Sequence, residues 1–423
     1  MATEGLAARQ AAVAILDAVL GERQPLADVL AASDGPLSRL APIDRARAQR
    51  LALTTLRHVE PADRVLAPHL RRPPPRRVTN VLRLAVCEHA VDGTAPHAVV
   101  NVAVELVRAG RRTGAFAGLA NAVLRRVTEQ PSPFAGLPPQ RLPQWLRQPL
   151  VRLWGREVMS AIEAVQARTP PVDLTLRDSA TPPEGALRLP TGSCRLTEPG
   201  QISALSGYDE GHWWVQDAAA ALPARILSPR VGERILDLCA APGGKTLQLA
   251  AAGAQVTALD ISGPRLERLR QNLARTGLAA QIVVGDALHW EPPAPFDAIL
   301  LDAPCSATGT IRRHPDLPFV KDGTEVEGLA DLQARMIDRA LAMLVSGGRL
   351  VFCTCSLLPE EGEAQVVAAL ARHPGLTVEP PDFPGLDPRW RSAEGGLRLR
   401  PDHWAEHGGM DGFYMACLRK PAA

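Results

Sequence analysis

From about residue 6 to residue 129, apolar residues return every three or four positions, and the chain reads as helix after helix. Leu6, Val13, Leu16, Val19 and Leu20 make one face of a first helix, and 43–59, 78–90, 98–109 and 114–127 repeat the spacing, punctuated by Pro61, Pro73 to Pro75 and Pro96. A proline-rich stretch, 130–144, reads as a linker. Two helical patterns follow at 144–153 and 157–167, then an alternating strand at 172–177 and a short extended piece, Trp213-Trp214-Val215. From about 216 the pattern changes to strand alternating with helix: strands at 234–238, 255–259, 281–284, 298–301 and 349–353, and helices at 217–226, 245–252, 265–276 and 326–344. A last strand at 413–418 reads as antiparallel. The expectation is a multidomain chain. An all-α domain occupies 1–130, a small α+β segment 144–215, and an α/β domain with a doubly wound parallel sheet 216–423.

At 423 residues the chain exceeds one ordinary core, which agrees with that division. A hydrophobic content of 46% with 22% charged residues is that of a globular protein. The start, Met1-Ala2-Thr3-Glu4-Gly5, lacks a basic region followed by an apolar core, and no apolar run approaches the ~18–20 residues that span a bilayer. Seven cysteines without a disulfide framework suit a reducing compartment, so a cytoplasmic, non-membrane protein is expected. No heptads occur, and a monomer is expected. Residues 1–130 hold 18 Arg and no Lys against 12 acids, a formal +6, and the rest carries −4. An arginine-rich front suits a polyanion, although with three lysines in the whole chain arginine also simply replaces lysine. Arg71-Arg72-Pro73-Pro74-Pro75-Arg76-Arg77 is either a solvated loop or a phosphate contact.

The turn Cys239-Ala240-Ala241-Pro242-Gly243-Gly244-Lys245 joins the first strand of the α/β region to its helix. Its glycines let backbone amides approach a ligand, and the helix start adds partial positive charge. It has neither three spaced glycines of the dinucleotide type nor the first glycine of a phosphate loop. Acids end the successive strands at Asp260, Asp286 and Asp302, where carboxylates can accept hydrogen bonds from ribose hydroxyls and an adenine amino group. A ribose and adenine cofactor with an amino-acid tail fits, and S-adenosylmethionine is the candidate.

Two cysteines follow strand ends, in Asp302-Ala303-Pro304-Cys305 and Thr354-Cys355-Ser356. Methylating carbon 5 of a pyrimidine needs covalent help, because that carbon is a poor nucleophile. A thiolate that adds to carbon 6 makes carbon 5 enamine-like, after which a base removes the carbon-5 proton and the thiol leaves. Cys353 and Cys355 as zinc ligands would need a matching second pair, which is missing, so no metal is expected. Cys353, Cys87 and Cys417 read as inert buried thiols.

The segments 237–246, 301–313 and 354–361, with Ile311-Arg312-Arg313-His314-Pro315-Asp316 and Asp411-Gly412-Phe413-Tyr414, closely resemble the RNA cytosine-5 methyltransferases that carry two active-site cysteines. The helical front, with Val100-Asn101-Val102-Ala103-Val104-Glu105-Leu106, resembles a NusB-type RNA-binding domain, an arrangement similar to the bacterial 16S ribosomal RNA methyltransferases of the Sun or Fmu type. The resemblance implies a NusB-like domain, a small α+β RNA-binding segment and a Rossmann-like class I methyltransferase domain. It implies Cys355 as the nucleophile, Cys305 as the group that helps the adduct break down, and Asp302 as a contact to both cofactor and cytosine. Cys239 to Lys245, Asp260 and Asp286 would hold S-adenosylmethionine. DNA enzymes instead place the nucleophile in a Pro-Cys pair, here Cys305, but the Thr354-Cys355-Ser356 motif and the RNA-type front favour Cys355. The connection 321–328 is acidic and glycine-broken, which leaves Arg312, Arg313 and His314 as better phosphate contacts. The expected product is 5-methylcytosine in 16S ribosomal RNA. Alternatives are the same chemistry on transfer RNA or another ribosomal cytosine, or an inactive NusB-like assembly factor.

Overall fold

The computed structural model describes residues 5–177, 180–198 and 200–422; residues 1–4, read above for a leader, lie outside them. The chain divides into two compact units, one of residues 1–169 with 311–322, the other of 170–310 with 323–423. These divisions differ from the boundaries expected from sequence, since 144–169 and 311–322 fall in the helical unit. Among the described residues no helix is long and apolar enough to cross a membrane.

The first unit contains α1 (Leu6–Glu22), α2 (Leu26–Ala31), α3 (Pro42–Arg57), α4 (Val59–Leu66), α5 (Arg76–Ala90), α6 (Pro96–Ala109), α7 (Ala117–Val127) and α8 (Gln144–Gln166). Its core gathers the apolar stripes, with Leu16, Leu51, Val81, Leu82, Val107 and Leu124 all buried. The single helix expected at 43–59 is two. His58 leaves the helical region, and Pro61, which has no N–H to give, sits in the first turn of α4. The two patterns at 144–153 and 157–167 merge into α8 across a kink at Gly155.

The second unit starts with β1 (Val172–Leu176), β2 (Leu187–Arg188), β3 (Cys194–Leu196) and β4 (Trp213–Val215), paired in the order β2-β3-β1-β4. There follow α9 (Leu222–Leu227), β5 (Arg234–Leu238), α10 (Gly244–Ala251), β6 (Gln255–Asp260), α11 (Gly263–Thr276), β7 (Gln281–Val284) and β8 (Phe296–Asp302). The helix expected from 217 begins only at 222. The Asp217 Oδ1 accepts from the Ala219 N–H at 2.9 Å and holds the preceding turn, and Pro223 suits the first turn of α9. After β8 the chain gives 311–322, with α12 (Leu317–Val320), to the helical unit. There Phe319 and Val320 join the helical core, and Asp316 Oδ2 accepts from the Leu26 N–H at 2.9 Å, at the start of α2. The sheet unit closes with α13 (Val326–Ala342), β9 (Leu344–Thr354), α14 (Glu363–Arg372), β10 (Thr377–Glu379), β11 (Leu397–Leu399) and β12 (Phe413–Arg419).

The large sheet runs β10-β12-β9-β8-β5-β6-β7, parallel from β9 to β7 and antiparallel at β12, as the sequence pattern suggests. Both faces are covered. Leu236, Ile299, Leu301, Leu350 and Phe352 pack on one side with Ile337 of α13, and Ile235, Leu300 and Val351 on the other with Leu222 and Leu227 of α9. That is why β5, β8 and β9 are near-continuous apolar runs rather than alternating ones. Strand order reverses between β5 and β8, since β6 and β7 lie on one side of β5 and β8 and β9 on the other. A ligand crevice is expected outside the carboxyl ends at this switch.

In the small sheet, the fully buried Arg195 on β3 meets Asp173 on β1 in a two-bond pair of 2.6 and 2.8 Å. Asp173 also accepts from the Ala218 N–H, and Arg195 donates to the His407 carbonyl at 2.8 Å. Removing one partner leaves a buried charge uncompensated, so Asp173→Ala is expected to cost about 3–5 kcal/mol in denaturant unfolding. A loss below about 1 kcal/mol would contradict this role.

Candidate active site

At the switch point the cofactor turn leaves β5. Cys239 takes a left-handed backbone (φ 60) and Gly243 follows at φ 108, where a Cβ would also run into Leu269. A side-chain residue held left-handed is strained and persists only where its surroundings fix it. Here the Ala240 N–H donates to the Leu259 carbonyl and the Ala241 N–H to Asp260 Oδ2, both at 3.1 Å. Asp260 is buried at the end of β6 and accepts from the Ser262 N–H as well, so it orders the turn besides facing the crevice. Asp286, after β7, is half-buried and held below its usual range by the Leu288 N–H and by His289.

Asp237, near the end of β5, accepts from Thr246 through Oδ2, while its buried Oδ1 has no partner in the protein. Burial raises its carboxyl to about 7, despite Thr246 and Lys245. A glycine turn with open amides, an acid at the end of each of β6, β7 and β8, and an unused acceptor beneath the turn fit a ribose and adenine cofactor. The residues that would hold it are Cys239 to Lys245, Asp260, Asp286 and Asp302. Among the described residues no group of three or more His, Cys, Asp and Glu could hold a metal ion.

The last of these acids is already engaged. Lys245 sends its ammonium from α10 to Asp302 Oδ2 at 2.7 Å and lies over the Phe413 ring, 5.4 Å from its centre. Burial alone would discharge this lysine, but the Asp302 charge outweighs it and holds the ammonium. Asp302 Oδ1 accepts from the Cys353 thiol at 3.4 Å. Burial, then the Asp302 charge, keeps that thiol well above its ordinary value, so Cys353 is an inert, buried group.

Cys305 and Cys355 come together. Their sulfurs are 3.4 Å apart, close enough for one thiol to donate to the other. The shared hydrogen bond with Cys305, then burial, pushes the Cys355 thiol well above its ordinary value, so it rests protonated. The loops behind them meet on one carboxyl, that of the fully buried Glu361. Its Oε1 accepts from the Ser306 N–H at 2.8 Å and from Gln333 at 3.2 Å, and its Oε2 from the Ser306 and Ser356 hydroxyls at 2.5 and 2.6 Å. Ser306 and Ser356 each directly follow a cysteine. Gly309 completes the join: its N–H donates to the Cys355 carbonyl, its own carbonyl accepts from Gly412, and a Cβ there would strike the Gly412 backbone. Arg398 donates to the Ser356 carbonyl and pairs with Glu363. Glu361, Ser306, Ser356 and Arg398 escaped sequence reading. The first three lie inside the quoted motifs, but nothing in their spacing says that one carboxyl serves both loops.

The expected phosphate contacts divide. Arg71, Arg72, Arg76 and Arg77 are exposed, although Arg77 is paired with Asp17 at 2.8 Å. Arg312 is 1% exposed and its carbonyl accepts from Arg57 inside the helical unit, so its guanidinium is not a surface phosphate contact. Arg313 is half-buried and His314 exposed.

A doubly wound sheet with this cofactor crevice, joined to a helical module, is the architecture of a Rossmann-like methyltransferase. The family model described as 16S rRNA methyltransferase RsmB/F matches residues 224–419, and the NusB family model matches residues 6–129. The ribosomal RNA small subunit methyltransferase B of Citrobacter koseri is 35% identical over 439 aligned residues, 97% of this chain and 98% of its own. The crystal structure of PH0851 shares the fold at a TM-score of 0.72 and 23% identity, over 97% of this chain and 99% of that one. A methyltransferase homolog from Pyrococcus horikoshii matches at a TM-score of 0.53 and 28% identity, over 64% of this chain and 92% of its own. The chain belongs to the RsmB/F family of 16S rRNA methyltransferases. It is an RNA methyltransferase, and S-adenosylmethionine is its methyl donor.

Because Cys305 is the largest cause of the raised Cys355 value, Cys305→Ala is expected to lower it. Alkylation of Cys355 by iodoacetamide at pH 8, followed by peptide mass spectrometry, should then speed up several-fold. In the wild-type protein the alkylation rate should climb about tenfold per pH unit to pH 9 and above, because only the thiolate reacts. A plateau below pH 8 would refute the protonated resting state.

Proposed function

We propose that this enzyme methylates carbon 5 of a cytosine in 16S ribosomal RNA through a covalent bond between Cys355 and carbon 6. The observation that carries the reading is the pair of thiols 3.4 Å apart at the ends of β8 and β9, next to an aspartate held by the cofactor-turn lysine.

S-adenosylmethionine supplies an electrophilic methyl group. The Cys355 thiol gives up its proton and the thiolate sulfur bonds to carbon 6. The electron pair of the carbon 5–carbon 6 double bond shifts into the carbon 4–carbon 5 bond as ring nitrogen 3 gains a proton, which balances the proton lost by the thiol. Carbon 5, now enamine-like, bonds to the methyl carbon as the bond from that carbon to the sulfonium sulfur breaks, the sulfur keeping the electron pair as a neutral thioether. Loss of the carbon-5 proton to a base restores the double bond as the carbon–sulfur bond breaks, and Cys355 leaves as thiolate. Cys305, whose sulfur touches that of Cys355, is the group assigned to this release step. Asp302, whose Oδ2 accepts from the Lys245 ammonium at 2.7 Å, would accept a hydrogen bond from the cytosine amino group. The target base must be unstacked to reach thiols set at strand ends, which suits a single-stranded or flipped-out cytosine.

The family described as 16S rRNA methyltransferases supports the ribosomal target. The test uses 16S transcript tritiated at carbon 5 of cytosine. Each methyl group transferred should release one tritium to water, and nuclease digestion should yield 5-methylcytidine. Methyl transfer without tritium release, with the methyl on ribose or on an exocyclic nitrogen, would overturn the reading.

A further inference from the structure

A cavity of about 670 Å3 opens in the sheet unit, at the opposite end of α10 from the cofactor turn. Its walls are the end of β1, the β2–β3 turn and the C-terminal ends of α9 and α10, and the described residues that line it include Arg177, Arg188 and Arg225 but no carboxylate. Among the described lining residues all the formal charge is therefore positive. Arg177 spends one nitrogen on the Thr276 carbonyl at 2.8 Å. Arg225 lies over the Phe383 ring, 5.4 Å from its centre, and the cover it has lowers its guanidinium with no acid to raise it back. Among the described residues neither Arg188 nor Arg225 has an ion-pair partner. A second observation is independent of charge. Thr191 is 1% exposed, lines the cavity, and its hydroxyl has no hydrogen-bond partner in the protein. A buried hydroxyl left unpaired is costly unless a ligand or water takes it up.

These features select the chemistry of the occupant. Guanidinium forks match phosphate oxygens in a planar, multi-donor geometry. The unpaired Thr191 hydroxyl offers a donor and an acceptor beside them. Phosphates flanked by hydroxyls that both donate and accept describe a ribose-phosphate strand better than an isolated anion. The volume lies in the range of sites for nucleotide-sized groups. We propose that this cleft is a docking subsite for the RNA substrate's backbone, with Arg188 and Arg225 on phosphates and Thr191 on a ribose hydroxyl. The proposal deepens the functional reading above by placing part of the substrate strand away from the thiols.

The experiment measures binding of full-length 16S transcript to the whole protein across a salt series, for wild type, for Arg188→Gln with Arg225→Gln, and for Thr191→Val. Two lost phosphate contacts should flatten the slope of log affinity against log salt by about 1.4–1.8, with affinity at 0.1 M salt falling by on the order of tenfold. Thr191→Val should melt at the same or a higher temperature, since it removes an unpaired hydroxyl, yet bind RNA more weakly. S-adenosylmethionine binding should be unchanged in all variants. An unchanged slope overturns the proposal. So does a cleft that binds inorganic phosphate, lost in the double variant, while the RNA slope stays intact, for that marks a free-phosphate site. Methyl transfer to the same transcript is read in parallel. A wild type that transfers none removes the functional reading, whereas a methylated transcript with unaltered slopes removes the subsite alone.

Discussion

The parallel register of β8 against β9 is the constraint on which the rest depends. It sets Leu301 opposite Phe352 and Asp302 opposite Cys353. Whatever follows these strand ends must emerge side by side on the same edge of the sheet. Cys305 and Cys355, 50 residues apart in sequence, are therefore brought to the same edge of the sheet. A one-residue slip of β9 would turn Cys353 out of the core and carry Cys355 away from its partner. The register is held on both faces by buried apolar side chains, so the chemistry is underwritten by ordinary packing.

Register delivers the loops, but a narrower device sets the sulfur–sulfur distance. The carboxyl of Glu361 gathers the serines that follow each cysteine, and Gly309 ties one loop to the backbone of the other. Ala307, between them, is held left-handed at φ 58, a conformation an alanine adopts only where its neighbours impose it. On the other side, Lys245 links the cofactor turn to Asp302. Thiols, aspartate and turn thus form one connected group, and a change at Glu361 would be felt at both sulfurs although it touches neither.

Much of this was legible in the sequence. The strand–helix alternation, the glycine turn, the acids at strand ends and the two cysteine motifs are local signals, and each lies where the pattern puts it. What escaped reading was non-local. The short strands β2, β3, β10 and β11 are too brief to show a period. The Asp173–Arg195 pair and the Glu361 clasp join residues that only tertiary packing brings together. The stretch 311–322 shows the same limit. Its arginines read as surface charge next to the Pro304-Cys305 motif, yet Arg312 is buried and the segment belongs to the helical unit, because Asp316 and Phe319 anchor it there. Charge in a sequence says nothing of which way a guanidinium turns.

Trapping of the covalent adduct tests the central claim most directly. Wild type, Cys305→Ala and Cys355→Ala would each be incubated with S-adenosylmethionine and 16S transcript and run on denaturing gels. The account predicts that Cys305→Ala accumulates a protein–RNA adduct, because release fails after the bond to Cys355 has formed, and that Cys355→Ala gives neither adduct nor methylated RNA. An adduct in Cys355→Ala that is absent from Cys305→Ala would contradict it and make Cys305 the nucleophile.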